Sequence, residues 1–345
     1  MLIILSALIF MDTMNMMVIV IALALIWLLC DLVAWIVGKI TRTRRKGDAA
    51  DPEAAEGKRE RIRRLYPAGI CALIITFLYF LCGWILAHHV WETDYLLYTG
   101  KTENPLRFVM FADLHMGTTL NETEFAKQIQ RINDTHPDVV VIAGDLVDDS
   151  TSYAEMAAAC KALGTLETKY GVFYAYGNHD KGYSAGNRGY GYQELEAELT
   201  ANGVVILEDA AYDLNGEYTL IGRADASTGR SAGGYEIGTR DKIETLMDEI
   251  PKDRYTIVID HQPNDYDAEA AAGADLVLSG HTHGGQLIPI TKVGEWIGAN
   301  DATYGYERRG DTDFIVTSGI SAWSILFKTG CKSEYVRIRI MPERR

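Results

Sequence analysis

Cysteine is scarce in this chain. Of five cysteines in 345 residues, Cys30, Cys71 and Cys82 fall within two long apolar runs, which leaves only Cys160 and Cys331 elsewhere. That excludes a disulfide framework, with a single Cys160–Cys331 bridge left open. Positive charge is also short, with 33 Lys and Arg against 47 Asp and Glu. Residues 91–345 are the more acidic part, with 40 acidic and 23 basic side chains. This argues against binding polyanions through general electrostatics, and no nucleic-acid partner is expected. An anionic substrate would need positive charge supplied locally, and metal ions can supply it. Histidine is rare too, eight in all, so its placement carries information.

Other absences bear on the N-terminal part. No Lys or Arg precedes the run Met14–Gly38, "MNMMVIVIALALIWLLCDLVAWIVG", and no acid or lysine occurs in Ala68–Val90, "AGICALIITFLYFLCGWILAHHV". Each supplies the roughly 20 apolar residues of a membrane helix. Asp31 interrupts the first run, and residues 1–10 are apolar as well, so its exact extent stays open. A cleaved signal peptide is not expected, because there is no basic n-region and the run is too long. Between the two runs, Lys39 to Tyr66 hold ten Lys/Arg and five Asp/Glu. The positive-inside rule puts this loop in the cytoplasm and everything after Val90 outside, with Trp84 and Trp91 suited to an outer interface. The expected organisation is an N-terminal transmembrane segment (1–38), a basic cytoplasmic loop (39–67), a second transmembrane helix (68–90), a connector (91–104) and an extracytoplasmic domain (105–345).

In that domain strand-like runs alternate with helical ones. "LRFVMFA", "DVVVIAG", "GVFYAYG", "YTIVID" and "DLVLSG" read as buried strands, with further strands near 217–222, 313–318 and 334–340. Residues 122–136, 153–169, 192–202, 239–250 and 268–273 read as helices. The alternation predicts an α/β layered domain. "KGYSAGNRGYGY" and "RADASTGRSAGGY" read as loops.

Ligands in α/β sheets collect beyond the carboxyl ends of strands, and the strands here end in polar blocks of one recurring kind. The successive strand ends carry Asp113 and His115 in "ADLHMG", Asp145 and Asp148 in "GDLVDD", Asn178, His179 and Asp180 in "GNHDKG", Asp260 and His261 in "DHQPND", and His281 and His283 in "GHTHGG". Five of the eight histidines are in this series. A single Asp after a strand is usually a turn residue; five such stretches in series point to metal. Carboxylate, imidazole and amide oxygen suit Mn, Fe(II), Zn or Co, and without thiolates a closed structural zinc site is not expected. Seven candidate ligands are too many for one ion and suit two divalent ions sharing a carboxylate, an arrangement that can clamp both oxygens of a phosphoryl displacement. In an extended "HTH", residues i and i+2 project to the same side, so His281 and His283 can enter one site, with Gly280, Gly284 and Gly285 allowing a tight turn.

In order and content, "DLH", "GDLVD", "GNHD", the His of "DHQP" and "GHTHGG" resemble the five signature blocks of the calcineurin-like metallophosphoesterases, over roughly 105–345. The apolar start and "GHTHGGQ" further resemble the membrane-anchored YkuE/YaeI-like branch of bacterial enzymes. The resemblance implies a four-layer α/β/β/α sandwich with a two-metal site between the sheets. It implies that Asp113, His115 and His283 hold one ion, that Asn178, His261 and His281 hold the other, and that Asp145 bridges them. His179 would face the substrate as acid, Asp180 would orient it, and Asp148 would be a supporting carboxylate. The reaction implied is hydrolysis of a phosphoester by in-line attack of a hydroxide held between the ions. With an anchored domain outside the membrane, the expected substrate is a phosphodiester or a lipid- or wall-linked phosphate. Two other readings are a UDP-2,3-diacylglucosamine-type pyrophosphate hydrolase, whose substrate is cytoplasmic, and a non-catalytic metal-stabilised scaffold. Arg308 and Arg309 are candidate phosphate contacts, with a solvated charge pair as the competing reading. Tyr183, Tyr190 and Tyr192 are candidates to line an access groove, or simply to pack.

Overall fold

The structure, a computed structural model, describes residues 13–45, 67–181, 188–227 and 240–343. Most of the basic loop, and Tyr183, lie outside the described residues. The chain divides into two compact units, Met1–Trp84 and Ile85–Arg345.

The first unit is built on apolar helices. α1 (Thr13–Arg45) takes in the first residues of the basic stretch, and α2 (Pro67–His88) covers the second apolar run. At about 1.5 Å per residue, the apolar windows Met17–Ile40 and Gly69–His88 reach the ~30 Å of a bilayer core. Their large side chains point outward, Leu25, Leu28, Leu29, Leu73 and Phe77 among them. Helices apolar on every side suit hydrocarbon rather than water.

The described residues of the second unit contain twelve strands: β1 (Val90–Thr99), β2 (Leu106–Phe111), β3 (Val139–Ala143), β4 (Val172–Ala175), β5 (Val204–Ile206), β6 (Ala210–Asp213), β7 (Tyr218–Gly222), β8 (Tyr255–Ile259), β9 (Leu276–Ser279), β10 (Gly305–Arg309), β11 (Thr312–Val316) and β12 (Ser333–Pro342). They form two six-stranded sheets, ordered β1-β12-β2-β3-β4-β5 and β10-β11-β9-β8-β7-β6. Strands β2 to β5 run parallel, as do β7, β8, β9 and β11. The helices are α3 (Glu122–Asn133), α4 (Tyr153–Leu163), the short α5 (Asn178–Lys181), α6 (Tyr192–Ala201), α7 (Ile243–Met247), α8 (Tyr266–Ala272) and the short α9 (Val293–Trp296).

Strand periodicity explains the layers. Successive residues face opposite sides of a sheet, and both sides here are buried. Phe108, Met110, Val139 and Val141 of the first sheet meet Ile257, Ile259, Leu276 and Leu278 of the second in one core. Their neighbours Val109, Phe111, Val140 and Ile142 pack against Phe125, Ile129, Met156 and Leu195 of α3, α4 and α6. On the other side Val258, Val277 and Phe314 pack with Ile243 and Tyr266 of α7 and α8. The result is the expected α/β/β/α sandwich.

Several boundaries differ from the sequence reading. The segment expected to be a connector holds β1, paired in parallel along its whole length with β12. The partner lies some 240 residues away, so nothing local marks it. The helix expected over 153–169 ends at Leu163, where Gly164 forms the cap. Of the one expected over 239–250, the described residues are helical at Ile243–Met247. α3 stops before His136, whose φ of 49° is left-handed.

Candidate metal centre

The parallel strands deliver their polar residues to one edge. β2 leads to Asp113 and His115, β3 to Asp145, β4 to α5, β8 to His261 and β9 to His281. The turns are tight and cross-linked. The Asp113 N–H donates to the Gly144 carbonyl at 3.0 Å, and that of His115 to the Asp145 carbonyl at 3.1 Å. Asp113 (φ 57°), His115 (40°), Asp145 (55°), His281 (66°) and His283 (49°) all occupy the left-handed region. Non-glycine residues held there cost on the order of 1–3 kcal/mol each and collect at functional sites.

Two subclusters result. In the first, His115 and His283 bring their Nε2 atoms within 3.1 Å of each other, with Asp113 Oδ1 3.8 Å from the His283 Nε2. In the second, Asn178 Oδ1 lies 3.2 Å from His261 Nε2 and 2.8 Å from His281 Nδ1. Asp145 stands between them, its Oδ2 3.1 Å from His261 Nε2 and 3.7 Å from His115 Nε2. His261 shares Nδ1 with the Ala143 carbonyl at 2.7 Å, which commits Nε2 to the cluster, as an outer partner does for a metal-binding imidazole. Asp113–His115–His283 and Asp145–His261–His281 can each converge on one ion. All seven expected ligands are therefore brought together.

Electrostatics favours added positive charge. Burial pushes the Asp113 carboxyl up to about 7, with nearby Asp145 contributing, although His261 opposes it. Burial holds His115 and His281 down to about 4. Burial also works against a charged His261, but Asp145 outweighs it and holds that imidazole well above its usual range; buried carboxylates facing imidazoles make a site suited to divalent cations. The donor set, all nitrogen and oxygen, fits such ions.

His179 sits beside this cluster, its ring centroid 5.0 Å from that of His115 and 6.0 Å from that of Trp323. Burial lowers its basicity, but Asp145, Asp148 and Asp149 outweigh burial and raise it to about 9. Here the structure corrects an expectation. Asp180 does not orient the His179 ring: its carboxylate accepts the N–H groups of Gly177, Asp145 and Leu146 at 2.7, 2.9 and 3.0 Å. The carboxylate at His179 Nδ1 is that of Asp148, at 3.2 Å. Asp180 follows His179 in sequence, but on α5 adjacent side chains diverge.

Arg308 and Arg309 are not brought to the cluster. Arg308 pairs with Asp313, and Arg309 with Glu307 and Asp267, on the second sheet and its helix. Tyr190 packs edge-on to Tyr153, and Tyr192 begins α6 beneath Lys181. Cys160 and Cys331 do not pair. Cys160 is buried in the helix-side core, and the Cys331 thiol donates to the His283 carbonyl at 2.8 Å.

The "HTH" pair is not extended, as expected, but coiled into a turn that includes a 3₁₀ segment at His283–Gly285. Gly284 and Gly285 do have positive φ, whereas Gly280 is required for space: a Cβ there would lie 2.5 Å from that of Ala112 and 2.7 Å from Asp113 Oδ2.

Three supporting residues escaped sequence reading. Buried Arg188 donates to the His179 and Asp180 carbonyls at 3.0 and 2.9 Å. Fully buried Lys328 donates to the Ser318 and Gly319 carbonyls behind Asp113. Gln286 spans Trp323, donating to its carbonyl and accepting its N–H. None of these lies in a strand-end block; the only available signal for Gln286 was its place directly after "GHTHGG".

Two stacked sheets that carry a buried Asp–His–Asn cluster at their strand ends define a metallophosphoesterase. The calcineurin-like phosphoesterase family profile matches residues 106–285, more than half of the chain, and the chain belongs to that family. It is 30% identical over 239 residues to an uncharacterized metallophosphoesterase of Campylobacter jejuni, covering 68% of this chain and 59% of that one. It is 29% identical over 245 residues to a Danio rerio protein described as a transmembrane protein with metallophosphoesterase domain, covering 68% and 53%. Against the uncharacterized metallophosphoesterase YkuE of Bacillus subtilis it is 29% identical over 188 residues, covering 52% and 59%. The chain spans about three-fifths of the length of the curated relatives it matches.

Proposed function

We propose that the chain is a membrane-anchored phosphoesterase that uses two divalent ions, Mn, Fe, Zn or Co, with its catalytic domain outside the cytoplasm. The observation that carries this reading is the pair of subclusters on either side of Asp145, since two groups of donors sharing one carboxylate suit two ions better than one. Asp113, His115 and His283 would hold one ion, Asn178, His261 and His281 the other, and Asp145 both. The ions would supply positive charge against the phosphoryl oxygens and make water a competent nucleophile.

The remaining steps belong to the side chains of this chain. His179 delivers the proton to the departing oxygen. With Nδ1 engaged by Asp148, delivery falls to Nε2, and the Asp148 carboxylate holds the ring in the tautomer that keeps Nδ1 protonated. Asp180 and Arg188 fix the backbone of the "GNHD" turn and so the position of His179.

The substrate class is a phosphodiester or a lipid- or wall-linked phosphate, a choice that rests on the anchor and the side of the membrane. Two apolar helices separated by a stretch rich in Lys and Arg support that topology. The test is turnover of bis-p-nitrophenyl phosphate by the purified full-length protein with manganese added. No turnover with any divalent ion would leave a metal-stabilised scaffold instead. Reporter fusions after residue 91 test the topology, and a cytoplasmic reporter signal would favour the UDP-2,3-diacylglucosamine-type hydrolase.

A further inference from the structure

Directly after the metal-site histidines, the chain exposes an unusual amount of apolar surface. Ile288 and Ile290 are each 56% exposed, Trp296 71% and Ile297 72%, with Val293 at 38%. The segment is not slack: Ile290 donates to Leu287, Trp296 to Lys292 and Ile297 to Val293, so a hydrogen-bonded backbone holds these side chains outward. Gln286 and Thr329 tie it to the strap that carries Trp323, itself 45% exposed and next to His179. Soluble domains rarely present apolar groups clustered in this way unless something covers them.

Sheet register indicates what covers them. β12 runs antiparallel to β2, with Val336 opposite Met110, and β1 runs parallel to β12, with Val90 opposite Ser333. Beyond that ladder Gly319 and Ile320 lie between the two chains, the Ile320 N–H donating to the Ala112 carbonyl and the Glu334 N–H to the Gly319 carbonyl, both at 2.9 Å, which keeps Ser333 at the end of the sheet that carries Asp113. The start of β1 therefore lies at the edge of the sheet that carries the metal cluster. There the Ser333 hydroxyl donates to the Ala87 carbonyl at 2.8 Å, in the last turn of α2. The second unit thus begins, at Ile85–Val90, at the same edge as its metal ligands, which the exposed Ile/Trp segment directly follows in the chain.

We propose that the domain works with its metal edge against the bilayer and the 288–297 segment seated in the interfacial layer, and that its substrate is the phosphoester of a lipid headgroup in the adjoining leaflet. Trp296 has the aromatic, half-polar character favoured at headgroup depth. The isoleucines would reach the acyl boundary, while Lys292 pairs with Glu295 at 3.2 Å, so apolar burial rather than charge carries the docking. A substrate held in the same leaflet would meet His179 and the ligand histidines without leaving the membrane. This deepens the proposed phosphoesterase reading and rests on it for the substrate, but not for the docking.

Two measurements on the full-length protein in lipid nanodiscs test it. First, the tryptophan emission lost in Trp296→Phe, taken by difference from the parent, should be strongly quenched when the discs contain phosphatidylcholine brominated at carbons 6 and 7; an unquenched difference overturns the docking. Second, Trp296→Ser/Ile297→Ser should keep the parent's turnover of soluble bis-p-nitrophenyl phosphate. On phosphatidyl-p-nitrophenol presented in phosphatidylglycerol vesicles it should lose about tenfold, through KM. Equal rates on the lipid overturn the lipid-substrate assignment in favour of a soluble or wall-polymer phosphoester. If the parent hydrolyses neither compound, the phosphoesterase reading fails, while the quenching still scores the docking. A purified dimer that the double substitution splits, with no quenching, would make a second copy of the chain the occupant.

Discussion

At the residue scale, His179 and its two acidic neighbours can be told apart by what each holds. His179→Ala is expected to lower kcat on bis-p-nitrophenyl phosphate by about 10²–10⁴-fold, with metal content by elemental analysis nearly intact. Asp148→Asn should lower kcat less and leave KM close to that of the parent, because Asp148 supports the His179 ring, and His115 Nδ1 at 3.6 Å, without being placed on the substrate. Asp180→Ala strips the acceptor from three buried backbone N–H groups. Each unmade bond to a buried donor costs about 1–3 kcal/mol, so thermal stability and activity should fall together. Asp145→Asn should lose both metal and turnover; an active, metal-replete variant would contradict its placement between the subclusters. The candidate ligands were legible in the sequence, because each comes after a strand in a short polar block. The division of labour between Asp148 and Asp180 was not, because it depends on which way two side chains leave the backbone.

At the scale of elements, the turns at the strand ends set the precision of the site. Gly280→Ala places a methyl against Ala112 and Asp113, so Asp113 must move. Reduced metal retention on gel filtration is expected, with a lower melting temperature. α3 offers a control remote from the metals. Asn121 caps it and forms a capping box with Glu124, and Asn121→Ala should cost about 1 kcal/mol, or ~2–4 °C in the melting of a domain of about 250 residues, with activity unchanged. Central strands such as β3 and β9 could be read directly, since burial on both faces demands unbroken apolar runs. β1 could not. It is half exposed, its pattern is mixed, and its partner is at the far end of the chain.

For the whole molecule, stability and metal content should be coupled. Bound ions stabilise the folded state by RT ln(1 + [L]/Kd), about 2.7 kcal/mol at a hundredfold excess over Kd. Chelation should therefore lower the melting temperature of the catalytic domain, and manganese should restore it; an identical melt with and without chelator would argue against a built two-ion site. α1 and α2 unfold in lipid or detergent by different physics, so the shift should appear in domain-specific probes such as near-ultraviolet circular dichroism rather than in helix content.

The sequence alone determined the donor types of the candidate site and the layered fold. Ligand identity is a matter of side-chain type, and buried parallel strands and membrane-length helices announce themselves by uninterrupted apolar runs. Tertiary structure decided which carboxylate serves His179, that Arg308 and Arg309 belong to the second sheet, and that Cys160 and Cys331 stay apart. It also decided that the first residues of the second unit and the candidate metal ligands share one sheet edge. These are relations between residues tens to hundreds of positions apart. They arise from strand order and register, which local composition does not encode.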